Sequence, residues 1–488
     1  MTQVAIINLP RLDLTRPAIA PGILKSLATG IGMTSKIFDF ALKIYEESTR
    51  EDWDQYELLW QIDLDYHLPK ALQEKLDTMF DRYVQEVLRE APEFIAISVF
   101  SHNSITASDM MIRKLRQKTN AKIVIGGAGM MNRQGDTPFH LKLAKEGLID
   151  YFCVGEAETT FVNVLQNNLP CAGVNNEQWK QLDNLDDSPI PDYKDYQFDK
   201  YHHLAYGKSL WINGSRGCVR RCDFCDIGVI WKKFRFRSGE SLCDELKQQI
   251  QKYDIQAFQF GDALINGSQK AFNDLNHNLI QFIEQTNRSK PVIGGHYIVR
   301  PKSQVIKEHY EMQERAGLDL VSVGIETGSD ALRYRMNKKF TNEDFIQHLE
   351  YSKQHNLRNL IMMFAGHPTE TEEDHQETIK LLKGMKHYVA SGTVVSMELN
   401  QASVIRGTPL GDWSIKNNII FPNNHWGGDH KFWFNPNNPG NTLKVRVARV
   451  IEILETAIEV GIGIRGLKGR LVYSKKLLEI AKEKKFQY

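Results

Sequence analysis

No stretch of this 488-residue chain stays apolar for the 18 or more residues of a membrane-crossing helix. Charge of one sign is missing too. Lys and Arg number 61 against 60 Asp and Glu, a net charge of +1, so there is no global electrostatic case for nucleic acid or a membrane surface. Cysteine is scarce, with six in the chain, and Cys153, Cys171 and Cys243 are scattered. Nothing here argues for an oxidising compartment. The N-terminus runs into an apolar stretch without a basic signal region, so a cytoplasmic location is expected. Hydrophobic residues at 42% and charged residues at 25% are the values of an ordinary globular protein. The length allows two or three domains.

The other three cysteines, Cys218, Cys222 and Cys225, fall within eight residues, in Gly-Ser-Arg-Gly-Cys-Val-Arg-Arg-Cys-Asp-Phe-Cys-Asp. Thiolates that close on a short loop select zinc or iron–sulfur. Three ligands leave one position open, as catalytic metal sites do. A disulfide would explain only two of the three. Zinc would call for a fourth ligand, His202 or His203, and the paired Cys-x2-Cys halves of zinc ribbons are absent. The remaining reading is a [4Fe–4S] cluster with one iron free for a small molecule.

Ahead of this loop, strand-like and helix-like stretches alternate from Val4 to about residue 170. The strand candidates are Val4–Asn8, Ser35–Phe40, Phe94–Val99, Lys122–Ile125 and Tyr151–Val154. Such alternation predicts a parallel, doubly wound sheet of Rossmann type over residues 1–182, with ligands at the carboxyl ends of its strands. An insertion at 44–92 interrupts it. From Glu46 to Asp65 it carries eight acids against one base, interleaved with Trp53, Tyr56 and Trp60. A solvated acidic face with an aromatic face packed inward is expected; a docking cap is the sharper alternative. Residues 183–208, with Pro189 and Pro191, read as an extended linker.

The alternation restarts at Ser209. Strands are predicted at Ser209–Asn213, Ala257–Phe260, Val292–Tyr297, Leu318–Gly324, Leu360–Phe364 and Val394–Leu399, each followed by a helix. Six such units over 209–412 predict a parallel, partial (β/α)6 barrel of the TIM type, with functional residues at the strand carboxyl ends. Gly261-Asp262 follows the second strand, Gly324-Ile325-Glu326-Thr327-Gly328 the fourth, Gly366-His367-Pro368 the fifth and Gly407-Thr408-Pro409-Leu410 the sixth. Asp262 is open to a plain reading as a helix cap. Glu326 is less so, because a carboxylate between a buried strand and a glycine turn needs a partner.

The cysteine triplet with Phe224, followed by Gly-Ile-Glu-Thr-Gly, resembles the radical S-adenosylmethionine (SAM) superfamily. The Gly-x-Pro-x-Glu-Thr-x-Glu-Asp segment from Gly366 and the Gly-Thr-Pro-Leu ending resemble its branch with a cobalamin-binding domain. Pro21 to Leu24, Ser98 to Ser101, Gly126-Gly127 and Val154 to Glu158 resemble that domain. The resemblance implies a [4Fe–4S] cluster on Cys218, Cys222 and Cys225. It implies SAM near Phe224, Gly261, Asp262, Glu326 and Gly366, with Asp262 meeting the amino group and Glu326 the ribose. It implies cobalamin near Ser98, Gly126 and Gly127, although the Asp-x-His-x2-Gly signature of cobalt-ligating domains is absent. The implied activity is reductive cleavage of SAM to a 5′-deoxyadenosyl radical, serving cobalamin-dependent methyl transfer or related C–C chemistry on an unknown substrate. The alternative is a cobalamin-independent enzyme, a cyclase or one like the methylthiotransferases, with a vestigial first domain. A methylthiotransferase would want further N-terminal cluster cysteines, and only Cys153 and Cys171 stand there. An electron donor such as flavodoxin or ferredoxin is the implied partner.

The tail, 413–488, begins with an irregular loop containing His425, Trp426, His430 and Trp433. An amphipathic helix then spans Thr442 to Val460. Gly461-x-Gly463-x-x-Gly466 imitates a dinucleotide motif but follows a helix, so that reading is rejected. From Arg465 to Lys485 eight bases face two acids, which reads as a solvated helix face.

Overall fold

The computed structural model describes residues 2–488 except 11–13, 61–65, 132, 135–136, 203–205, 423–430, 468–470, 472–473, 475–476, 480, 483–485 and 487–488. His203, His425, Trp426 and His430 therefore lie outside the described residues, as does much of the basic terminal segment. The chain divides into two units, Met1–Trp211 and Ile212–Tyr488.

The first unit is built on five strands: β1 (Val4–Asn8), β2 (Ser35–Asp39), β3 (Phe94–Ser98), β4 (Lys122–Gly126) and β5 (Tyr151–Cys153). They lie in the order β2-β1-β3-β4-β5, and each neighbouring pair is parallel. β1 is buried at every position, as a strand covered on both faces must be, which is why it is an unbroken apolar run. The order reverses between β1 and β3, and the crevice at such a switch point is where doubly wound sheets hold ligands.

The insertion forms helices at Phe40–Glu46, Arg50–Leu59 and Lys70–Leu88. Its aromatic face is part of the core. Trp53, Tyr56, Trp60, Phe80 and Tyr83 are buried in one cluster with Ile7, Ile95 and Ile97 of the sheet. Phe40 stacks on Tyr83 with ring centroids 4.5 Å apart. The acids face outward, where Asp52 and Glu47 pair with Lys75 and Arg82. Residues 183–202 run along the first unit. Asp192 donates its N–H to the Gly22 carbonyl (3.1 Å), Asp195 pairs with Lys25 and Tyr196 donates to the Ala18 carbonyl (3.1 Å).

The second sheet has seven strands: β6 (Ser209–Ile212), β7 (Ala257–Phe260), β8 (Val292–Tyr297), β9 (Leu318–Glu326), β10 (Arg358–Ala365), β11 (Val394–Gln401) and β12 (Gly463–Ile464). They pair in simple sequence order, parallel from β7 to β12. Among the described residues no pairing joins β12 to β6, so the barrel is open. β12 lies within the rejected glycine motif. Gly461 ends the helix Leu443–Val460 in a left-handed conformation (φ 88°), and the chain turns directly into the new edge strand. A two-residue strand has no periodicity to read, which is why it was missed.

Three helices of this unit start on residues of the site motifs. Ser329, Thr371 and Thr408 cap the helices Asp330–Arg335, Glu372–Gly384 and Pro409–Lys416 with their side chains, each cap contributing about 1 kcal/mol. The motifs thus end a buried strand and begin a helix at once, which holds them still.

In the first unit, Gly127 has φ 108°, and a Cβ there would stand 2.5 Å from the Val99 carbonyl oxygen. Gly127→Ala should therefore destabilise the first unit by about 1–3 kcal/mol, the usual cost of a non-glycine residue in such a conformation plus a clash. A thermal melt of the metal-free protein checks this. An unchanged melting profile would show that β3 and β4 close less tightly than described.

Candidate functional site

The cysteine loop has little regular structure of its own, so other elements must hold it. Asp223, between Cys222 and Cys225, is the hub. Its N–H donates to the Met336 carbonyl (3.1 Å), and its carbonyl accepts from the Leu410 N–H (2.8 Å). Its carboxylate meets His367 Nε2 at 3.2 Å. Asn337 Nδ2 donates to the Arg221 carbonyl (2.6 Å), and Arg220 donates to the Val299 carbonyl (3.2 Å). Phe224 packs edge-on against Phe364 at 4.9 Å. The loop is thus gripped by the residues after β8, β9 and β10 and by the Gly-Thr-Pro-Leu turn. His367 is part of that grip.

All three cysteines are free and half-buried. Burial pushes the Cys222 thiol up to about 11 and the Cys225 thiol up to about 12. Burial also raises Cys218, while the Arg220 N–H, 3.3 Å from its sulfur, pulls the other way. Metal binding must displace those protons, so loading will be favoured at higher pH. Among the described residues no group of three His, Cys, Asp or Glu side chains is arranged to hold a single ion. A cubane cluster asks for something else: each thiolate takes its own iron corner. The donor set, three thiolates on a pinned loop, fits that group.

Asp262 follows β7 and is buried. Its Oδ2 accepts from the Gly214 N–H at 3.0 Å, which ties the start of the cysteine loop to the next strand. Its Oδ1 is buried without a hydrogen-bond partner. Burial raises its carboxyl to about 6. A buried oxygen left unpaired is costly, and such groups gather where a ligand completes them. An ammonium is the natural complement. Gly261 serves the same junction, donating its N–H to the Ile212 carbonyl (2.9 Å).

Glu326 ends β9 with φ 61°, a left-handed conformation that an ordinary residue adopts at a cost of about 1–2 kcal/mol. The turn aims its carboxylate at Lys338, with Oε1 2.6 Å from Nζ, and both side chains are largely shielded, at 12% and 13% exposure. Gly324 makes room, because a Cβ there would stand 2.5 Å from Glu326 Oε1 and 2.9 Å from Lys338 Nζ. Gly366 also meets the C-terminal helix. Its missing Cβ accommodates the Arg446 side chain of the C-terminal helix. Its N–H donates to Glu370 Oε2 (2.5 Å). Burial raises Glu370 to about 7, although Arg449, 3.3 Å away, opposes this.

In the first unit, Ser98 pairs with Gly126 across β3 and β4. Gly127, as described, packs on Val99. None of these three lines the large cleft of the unit, of about 640 Å³. Its lining includes Thr15, Trp53, Phe100, Ser101, Asn103 and His202. Phe100 and Ser101 follow β3 directly. The sequence pointed to this loop, and it read Trp53 as part of the insertion's aromatic face, with a docking cap as the alternative.

Residues 212–382, within the second unit, match the model of the radical SAM superfamily. An uncharacterized methyltransferase of Pyrococcus horikoshii is 24% identical over 364 residues, covering 71% of this chain and 75% of the relative. Among solved structures, the radical SAM methyltransferase TsrM of Kitasatospora setae, with tryptophan and a SAM analogue bound, superposes with a TM-score of 0.61 at 14% identity over 99% of both chains. The cobalamin-dependent SAM radical enzyme OxsB, with aqua-cobalamin and SAM bound, gives 0.63 at 15% identity over 88% of this chain and 64% of that one. At these identities the likeness is one of fold. No described helix is long and apolar enough to cross a membrane.

The Asp262 carboxyl supplies a pH test. Raised from 3.8 to about 6, it favours the folded state below pH 4 and loses that contribution as pH climbs through 6. Asp262→Asn should therefore gain stability relative to the parent protein between pH 4 and pH 7, by on the order of 1–3 kcal/mol. Paired melting curves across that range check it, and a constant difference would place the carboxylate in a wetter site than described.

Proposed function

We propose that the chain is a cobalamin-dependent radical SAM enzyme that transfers a methyl group, or forms a related C–C bond, on a substrate the site does not name. The observation that carries this reading is the grip on the cysteine loop. Each motif that resembles the superfamily closes on that loop, or on Asp262 and Glu326 beside it.

Cys218, Cys222 and Cys225 would hold a [4Fe–4S] cluster, Asp262 the SAM amino group and Glu326 the ribose. The cleft of the first unit, with Phe100 and Trp53, would take the corrinoid. When bound, these groups supply one-electron cleavage of the sulfonium and a carrier for the methyl group. The protein's own contribution is positioning. Asp223 and its three partners fix the loop geometry, the Asp262 carboxylate offers a charge complement to an ammonium, and the partly buried Phe224–Phe364 contact packs the loop against β10.

A second reading, cobalamin-independent chemistry with a vestigial first unit, is weakened for methylthiotransfer. Only Cys153 and Cys171 stand in the first unit, and Cys153 is buried in β5, too few thiols for a second cluster.

Two measurements test the proposal. Anaerobic reconstitution should load about four irons and four sulfides per chain, and Cys225→Ala should lose the brown absorbance. A full cluster in a triple cysteine variant would overturn the assignment. Protein mixed with hydroxocobalamin and desalted should keep corrinoid absorbance, and Phe100→Asp should lose it while keeping the cluster. If the parent protein retains no corrinoid, the cobalamin-free reading replaces this one.

Glu326→Ala should weaken SAM binding by about 1–3 kcal/mol, the cost of orphaning a charged hydrogen bond. Equilibrium dialysis measures it, and an unchanged affinity would move the ribose contact elsewhere.

A further inference from the structure

Lys338 has been given no role so far beyond its pair with Glu326, yet its place is closely determined. Its N–H donates to the Arg333 carbonyl at 2.9 Å. The two residues before it are bonded into the cysteine loop, Met336 through the Asp223 N–H and Asn337 through the Arg221 carbonyl. Its ammonium lies 2.6 Å from Glu326 Oε1 and 6.0 Å from the ring centroid of Phe224, the residue just before Cys225. A shielded cation is therefore clamped beside the thiolate loop, and one carboxylate shares its field. The strained turn at Glu326 and the bare Cα of Gly324 exist to permit that clamp.

We propose that Lys338 is a positioning residue for electron uptake, its fixed positive charge favouring the reduced form of the cluster, with Glu326 setting how much of that field the cluster feels. This rests on the proposed function. One-electron reduction adds one negative charge to a centre already carrying three thiolates. A cation held nearby in a poorly screened site stabilises the product of that step more than the starting state. The opposing carboxylate acts with the opposite sign.

The test is a redox titration of the reconstituted protein without SAM, using a low-potential one-electron reductant such as titanium(III) citrate and following the paramagnetic signal of the reduced cluster. Lys338→Met should shift the midpoint to more negative potential, lowering the reduced-to-oxidised ratio at the parent midpoint roughly fivefold. Lys338→Arg should restore the parent value. Glu326→Gln should move the midpoint the other way, because it removes the competing negative charge. Iron and sulfide counts accompany each variant. A parent protein without a cluster would sink the proposed function, whereas full clusters with unmoved midpoints would sink only this inference. Shifts of the same sign in Lys338→Met and Glu326→Gln would show a merely structural role and also overturn it. Should Lys338→Met fail to load, Lys338→Arg and Glu326→Gln decide alone: a parent-like midpoint in the first with a positive shift in the second supports the assignment, and any other pattern rejects it.

Discussion

The backbone of Asp223 is the point on which the site turns. A loop carrying three thiolates between the two-residue strand Ser215–Arg216 and the short helix Ile227–Ile230 cannot hold its own shape. Its peptide groups need partners, and an ordered loop must offset the entropy of fixing each residue, about 1–2 kcal/mol apiece. Asp223 offers one N–H, one carbonyl and one carboxylate, and each finds a partner from a different downstream turn. The sheet's regular order brings those turns to one end of the strands. The spacing of the motifs along two hundred residues is thus a spacing around one edge of a sheet, and the loop is stable only when the sheet is complete.

Completion extends past the domain suggested by the motifs. The turn after β10 is closed from the C-terminal side. Arg446 fills the space beside Gly366 and stacks on Trp433 at 3.7 Å, and Asn441 Nδ2 donates to the His367 carbonyl (2.8 Å). Burial lowers Arg446 to about 9 while it raises Glu370 to about 7. Burying such charges costs several kcal/mol unless partners are supplied, so the helix Leu443–Val460 and the Gly366 turn depend on each other. His367, which touches Asp223, sits inside that arrangement. A change in the C-terminal helix is therefore felt at the cysteine loop.

What could be read in advance follows from the range of each interaction. β1 and β3 were legible because a strand buried on both faces needs a continuous apolar run, a local property. The aromatic face of the insertion was legible too, though whether it covered a partner or the chain's own core was not. Cys218, Asp262 and Glu326 stood out through their places after predicted strands. The pairing of Lys338 with Glu326 was not legible, because the two lie twelve residues apart and meet only through a left-handed turn at a non-glycine residue. The occupant of the space beside Gly366 was equally hidden, since Arg446 is eighty positions further on. Glycine announces that something comes close, and the sequence does not say what.

Gly127 makes that lesson consequential for the first unit. A glycine doublet after β4 invites the idea of a ligand lying against bare backbone. The space beside Gly127 belongs to the Val99 carbonyl, and the space beside Gly129 to that of Ser101. Both glycines let β4 draw close to the loop after β3, and that close approach is what presents Phe100 at 59% exposure. An aromatic side chain held outward on a tightly packed turn is unfavourable in water and favourable against a flat apolar ligand. The case for a macrocycle in this unit therefore rests on Phe100, Trp53 and the cleft they line. The glycines contribute indirectly, by placing the ring that would meet it.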